Sequence, residues 1–178
     1  MKTERMIIAG FGGQGVMLMG QLLAYAATNK DLNTIWFPSY GPETRGGTAN
    51  CQVIISDGEI YSPVFSECET VIVMNGPSLD KFEDKVIPGG KIFVNSDLVT
   101  REVERTDVEV YKIPVNKIAI ELGISKVANM VMLGAYLNVA QNFADEDILK
   151  VLRKMFGEDK AHLIDVNAQA LAHGRNHK

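Results

Sequence analysis

Short apolar runs alternate along this chain with longer segments whose apolar residues recur at helical spacing. "MIIAG", residues 6–10, is too brief for a helix and is bounded by Gly10, so it predicts a strand. Residues 16–29, "VMLMGQLLAYAATN", are apolar on nearly every face and predict a buried helix. "TIWFP", residues 34–38, predicts a second strand stopped by Pro38, and "TVIVM", residues 70–74, a buried central one. Pro77 opens a helix carrying Leu79, Phe82 and Val86 at helical spacing, which Pro88-Gly89-Gly90 should end. Residues 91–95 and 108–113 are further strand candidates. Pro114 begins a short helix with Ile118, Ala119 and Leu122 on one face, and Gly123 supplies its stop.

The last third is helical. Residues 128–143 are apolar on more than one face, with Gly134 and Ala135 small enough for close packing. Residues 145–157 form a cleaner amphipathic helix, with acids in the first turn, an Ile148, Leu152, Met155 and Phe156 stripe, and Gly157 past its end. Residues 165–174 make a final helix, after which the polar "RNHK" should fray. One stretch departs from strand–helix alternation. Asp57-Gly58 lies between two strand-like segments, "TANCQVIIS" and "EIYS", and predicts a β-hairpin. The expected fold class is therefore α/β: a single three-layer Rossmann-like domain over residues 1–178, with a mainly parallel sheet, a β-hairpin and a helical C-terminal portion. The pattern leaves open whether the apolar helices at 16–28 and 128–140 are covered by the domain's own core or by partners.

Composition narrows the function classes. The 178 residues carry 46% hydrophobic and 22% charged side chains, enough for one core. Net charge is −4 with no cluster of cations, which argues against a nucleic-acid groove. No apolar run approaches the roughly 20 residues of a membrane span, and the amino terminus lacks the look of a secretory signal, so a cytoplasmic protein is expected. Cys51 and Cys68 have no CxxC spacing and predict reduced thiols; two cysteines cannot hold a four-cysteine cluster. Glu67 and Glu69 beside Cys68 would raise its pKa and argue against a nucleophile. His162, His173 and His177 are expected at the surface, not on a metal. The methionines, Met17, Met19, Met130 and Met132, suit core filling or adaptable interface packing.

Two glycine-rich loops carry the candidate chemistry. "GFGGQG" satisfies G-x-G-x-x-G at Gly10, Gly12 and Gly15, and could admit a pyrophosphate to the helix N-terminus. A dinucleotide site also wants an acid at the end of the second strand; "WFPSYG" has none, and Asp31 precedes that strand. NAD is disfavoured, and a tight turn that packs helix on sheet competes with any ligand role. The second loop, "PSYGPETRGGTAN", holds Tyr40, Glu43 and Arg45 among Gly41, Pro42, Gly46 and Gly47. Arg45 could fork onto a carboxylate or phosphate beside unobstructed backbone donors, or simply pair with Glu43. No nucleophile, P-loop or zinc motif accompanies these loops.

"IIAGFGGQGVMLMGQLLAYAA" together with "SYGPETRGGTANCQVIISD" resembles the gamma subunit of the 2-oxoacid:ferredoxin oxidoreductases, and "VANMVMLGAYL" is similar to that family's helical segment. The likeness runs over residues 5–172, and "SYGPETRGGTANC" is closer to the 2-oxoglutarate branch than to the pyruvate one. The resemblance implies a multi-subunit enzyme that converts a 2-oxoacid and coenzyme A to acyl-CoA and CO₂ and reduces ferredoxin. Thiamine diphosphate with magnesium does the carbon chemistry, and iron–sulfur clusters carry electrons. This chain lacks the GDG…NN diphosphate pattern and cluster cysteines, which the family places on alpha, beta and delta partners. It would thus be a non-catalytic, capping subunit that binds no cofactor alone. Because the two loops follow the first two strands, whose carboxyl ends converge in an open α/β sheet, Gly12, Gly13, Gln14, Gly15, Tyr40, Glu43, Arg45, Gly46 and Gly47 are expected to face coenzyme A or a partner. Two other readings compete: a free-standing nucleotide-binding module and a pure assembly scaffold. Purified alone, the chain is expected to form a homodimer through surface meant for partners.

Overall fold

A strand that runs against its neighbours organises the sheet. The computed structural model describes residues 3–39 and 48–177. Its six strands, β1 (Glu4–Phe11), β2 (Asn33–Ser39), β3 (Thr48–Ser56), β4 (Cys68–Val73), β5 (Val86–Asn95) and β6 (Glu109–Ile113), lie in the order β2-β3-β1-β4-β5-β6. β1, β4, β5 and β6 pair in parallel, whereas β3 is antiparallel to both β1 and β2. The antiparallel element predicted from the sequence exists, but not at Asp57-Gly58. β3 is already paired along both edges, so a strand returning after residue 58 has no ladder left to join. Residues 59–67 accordingly form no strand, and Gly58 is held by the Ser56 hydroxyl and by Asn33. The hairpin-like pair is β2 with β3.

Alternation along the strands divides the interior into two cores. Met6 and Ile8 of β1 face one, Ile7 and Ala9 the other. The larger core is roofed by α1 (Val16–Thr28), α3 (Val115–Glu121), α4 (Ala128–Ala140), α5 (Asp145–Phe156) and α6 (Ile164–Asn176). The smaller one lies under α2 (Gly76–Phe82) and the segment around Val99, Val103 and Val108. Three layers result, one much thicker than the other. Cys51 belongs to the first core and Cys68 to the second, so the sheet separates the thiols. Burial pushes both up to about 12, with Glu69 adding to the effect at Cys68.

Several boundaries differ from the sequence reading. Pro38 does not stop β2 but sits within it opposite Cys51, on an edge strand where its missing N–H costs no ladder bond. The helix opened near Pro77 stops at Phe82, and Val86 belongs to β5 in the smaller core. Pro88-Gly89-Gly90 sits inside β5 as an irregularity, because pairing passes from Cys68 with Val86 straight to Thr70 with Lys91. Gly89 adopts φ +79° there and bonds Asp107. The carboxyl-terminal residues do not fray after Gly174 either. Arg175 binds the Asp145 carboxylate and the carbonyls of Leu137 and Phe143, which extends α6 to Asn176. Beneath it, α4 and α6 cross closely: a Cβ on Gly134 would stand 2.0 Å from the Leu171 carbonyl oxygen, and one on Gly174 1.8 Å from that of Val131.

At the start of β1, Glu4 ties the layers together. Its carboxylate accepts hydrogen bonds from Thr70 of β4 and Tyr136 of α4, and Asn142 donates to the Tyr136 oxygen. Burial raises the Glu4 carboxyl above its ordinary range despite those donors, and burial with the adjacent Glu4 charge raises Tyr136 well above its own.

Candidate functional site

The carboxyl ends of β1 and β2 reach the same edge of the sheet as the start of β3: Phe11 pairs with Thr48, and Ser39 with Asn50. Each of the two glycine-rich loops therefore leaves from this edge. Tyr40, Glu43, Arg45, Gly46 and Gly47, with Gly41 and Pro42, lie outside the described residues. Gly12, Gly13, Gln14 and Gly15 are described, and their roles divide.

Gly15 is needed for the fold. It takes φ +74° at the amino end of α1, and a Cβ there would stand 2.4 Å from the Asn129 side chain of α4. Asn129 in turn donates to the Gly15 carbonyl at 3.4 Å. Gln14 turns its amide inward, accepting from the Phe11 N–H at 2.6 Å and donating to the Met74 carbonyl at 3.2 Å. Gly10, the motif's first glycine, is closed in as well, since a Cβ would meet the Gln14 oxygen at 2.5 Å and Met74 at 2.9 Å. Gly12 and Gly13 remain exposed. Gly13 has φ +91° with nothing within 4 Å of a hypothetical Cβ, so backbone conformation, not crowding, calls for glycine there. The motif thus serves packing at Gly10 and Gly15 and presents bare backbone at Gly12 and Gly13.

That bare backbone borders a groove of about 610 Å³, walled by Phe11, Val16, Met17, Leu18 and Ala49 and reaching Gln21. No side chain caps α1 and no acid stands in its first turn, which favours an anion at that end. The groove combines an apolar wall with backbone donors, as suits a ligand part hydrocarbon and part phosphate. A dinucleotide in the usual pose fits poorly. In that pose the second strand adjoins the first in parallel and carries the ribose-binding acid, whereas here β3 intervenes antiparallel and β2 ends in Phe37-Pro38-Ser39.

Behind the loop lies a polar network that periodicity could not reveal. Asn95 at the end of β5 donates to the Met74 carbonyl at 3.0 Å and to Asn116 at 2.8 Å, and its oxygen accepts from Asp97 N–H. The Met74 oxygen thereby receives both Gln14 and Asn95, which locks the ends of β1, β4 and β5 in register. The advance signal was the Asn that closes the apolar run of β5, at 95. Among the described residues no three His, Cys, Asp or Glu side chains gather as a metal site requires, and no helix is long and apolar enough to cross a membrane.

Comparison with known proteins places this geometry. The family description "Pyruvate ferredoxin/flavodoxin oxidoreductase" matches residues 5–177. The ketoisovalerate oxidoreductase subunit VorA of Methanothermobacter thermautotrophicus is 39% identical over 96% of this chain, but the match covers 35% of that protein. The chain thus spans about a third of the length of that relative. The 2-oxoglutarate synthase subunit KorC of Methanocaldococcus jannaschii is 37% identical, with 82% of this chain and 79% of that one covered. Among solved structures, the keto/oxoacid ferredoxin oxidoreductase gamma subunit of Geobacter sulfurreducens superposes with TM-score 0.81 at 29% identity over 96% of this chain and 95% of its own. A 2-oxoglutarate:ferredoxin oxidoreductase from Magnetococcus marinus, solved with 2-oxoglutarate, coenzyme A and succinyl-CoA, gives TM-score 0.88 at 26% identity, covering 98% of this chain and 31% of that one. By its matched span, its same-length relative and its fold, the chain belongs to the pyruvate ferredoxin/flavodoxin oxidoreductase family, as a domain of the gamma-subunit type.

Proposed function

We propose that this chain is the gamma subunit of a multi-subunit 2-oxoacid:ferredoxin oxidoreductase, and that its glycine-loop groove lines the approach of coenzyme A. The complex converts a 2-oxoacid and coenzyme A to acyl-CoA and CO₂ with reduction of ferredoxin. Thiamine diphosphate, magnesium and iron–sulfur clusters reside on alpha, beta and delta partners and supply the carbon and electron chemistry. This chain binds and orients. Gly12 and Gly13 offer backbone N–H groups to phosphate, Arg45 adds a guanidinium, and Phe11, Met17 and Leu18 shield the pantetheine arm. The observation that carries the reading is the shared edge: Phe11 stands directly across from Thr48, so the bare glycines and the Arg45 loop depart side by side.

Arg45→Ala tests it in the intact complex. The KM for coenzyme A should rise about tenfold, the loss of one charge-assisted contact, with kcat and subunit content little changed. An unchanged KM in an intact complex refutes the coenzyme role, and loss of assembly favours a scaffold. Among 2-oxoacids we favour 2-oxoglutarate. Ketoisovalerate is the second reading, because the VorA relative, at 39% identity, carries that name. Comparing kcat/KM of the purified complex for the two acids decides between them.

A further inference from the structure

α1 is buried along most of its length, yet Tyr25 is 54% exposed at its outer side, facing Met155 of α5 at 38%. Between them lies a second groove of about 440 Å³, with Val151 at its apolar floor and Lys150 and Lys154 along one bank. Gln21 lines this groove and the glycine-loop groove alike, so the two adjoin at that side chain.

The charge here runs against that of the molecule. The chain is net −4, but Lys150 and Lys154 make no hydrogen bond or ion pair with described residues. The nearby carboxylates are already engaged: Glu146 by Arg153, and Asp147 by Lys30 and the Ala144 N–H. Lys150 reaches Glu146 and Asp147 only through space. Two cations with no hydrogen-bonded partner on one helix, four residues apart beside an aromatic and a thioether, complement an apolar anchor flanked by acids.

Building on the multi-subunit reading above, we infer that the α1–α5 groove seats a segment of a partner subunit. That segment inserts one large apolar side chain between Tyr25 and Met155 and sets carboxylates against Lys150 and Lys154. Charge complementarity selects the occupant, and the shared Gln21 wall gives the contact a purpose. A partner held against Gln21 also walls the outer end of the glycine-loop groove and so completes the coenzyme's path.

The test uses the complex purified with its native companions. Lys150→Glu/Lys154→Glu should lower recovery of the chain in the complex about tenfold near physiological salt, because like charges then face each other. Tyr25→Ala should do the same without the salt dependence. Lys150→Arg/Lys154→Arg should restore assembly, and Lys126→Glu, an exposed cation outside the groove, should leave it intact. An unchanged Tm for each free chain separates loss of docking from loss of folding. Full assembly of the Lys→Glu pair at every salt concentration overturns the inference. So does full assembly with a raised KM for coenzyme A, which marks a small-anion site. A changed KM in Arg45→Ala alongside full assembly of the Lys→Glu pair sinks only the docking surface, whereas the reverse sinks only the coenzyme reading.

Discussion

α1 and α4 look alike in sequence, each a thirteen-residue helix with apolar residues on every side, and the fold treats them differently. Every residue of α4 from Ala128 to Leu137 is buried, between the sheet at Phe93 and the crossing helix α6. Nothing of that stretch is left for a partner. α1 buries its sheet-facing residues but leaves Met17, Leu18, Gln21 and Tyr25 along two adjoining grooves. An evenly apolar helix is therefore ambiguous until its neighbours are known. What α4 has and α1 lacks is a second helix brought into backbone contact through paired glycines.

The sharpest way to break this contrast is to separate α4 from α6. Gly174→Val puts a branched side chain against the Val131 carbonyl, where 1.8 Å is available even for a Cβ, and should cost at least about 3 kcal/mol, seen in thermal unfolding. Next comes the polar tie at α4. Tyr136→Phe removes one donor from the buried Glu4 carboxylate and should cost about 1–3 kcal/mol.

The same site has a pH signature. Glu4 is raised in the folded state from 4.5, so its contribution is fully present below that pH and is lost as pH rises through the folded value. Glu4→Gln should therefore gain on the wild type with rising pH in urea titrations, whatever its offset at acid pH. Glu83 and Glu69 behave oppositely. Burial opposes their ionisation, but Arg101 and Arg5 hold them below 4.5, and their contributions fade only as pH falls under that value. The windows do not overlap.

On the α1 side the expected effects on the free chain shrink. Gly13→Ala pays only left-handed backbone strain, about 1 kcal/mol, since no neighbour crowds the position. Tyr25→Ala should shift stability by less than about 0.5 kcal/mol, for its ring already faces solvent. A large loss from Tyr25→Ala alone would mean that α1 is as fully committed to the core as α4.

Much of this was legible in advance. β1, β2, β4 and β6, and helices α1, α3, α4 and α5, announce themselves through apolar runs, Pro at the start and Gly at the end. The hairpin at Asp57-Gly58 failed because a turn signal is local, whereas strand pairing depends on which edges remain free, and β2 had taken the last one on β3. Val86 satisfied helical spacing from Leu79 by coincidence with a strand residue bound for the same core. The polarity of "RNHK" concealed Arg175, whose partners at 137, 143 and 145 are distant in sequence. At the candidate site, glycine spacing located the loop but could not distinguish the closed-in Gly10 and Gly15 from the exposed Gly12 and Gly13. That distinction depends on Asn129 of α4 and on Met74, just past the end of β4.

The sheet that parts Cys51 from Cys68 has a practical corollary. Each sulfur is shut inside its own compartment and holds its proton to about pH 12, so alkylating reagents find no thiolate while the chain stays closed. Chemical tagging of Cys51 then reports when the larger core opens and tagging of Cys68 when the smaller one does, two clocks already written into the native sequence.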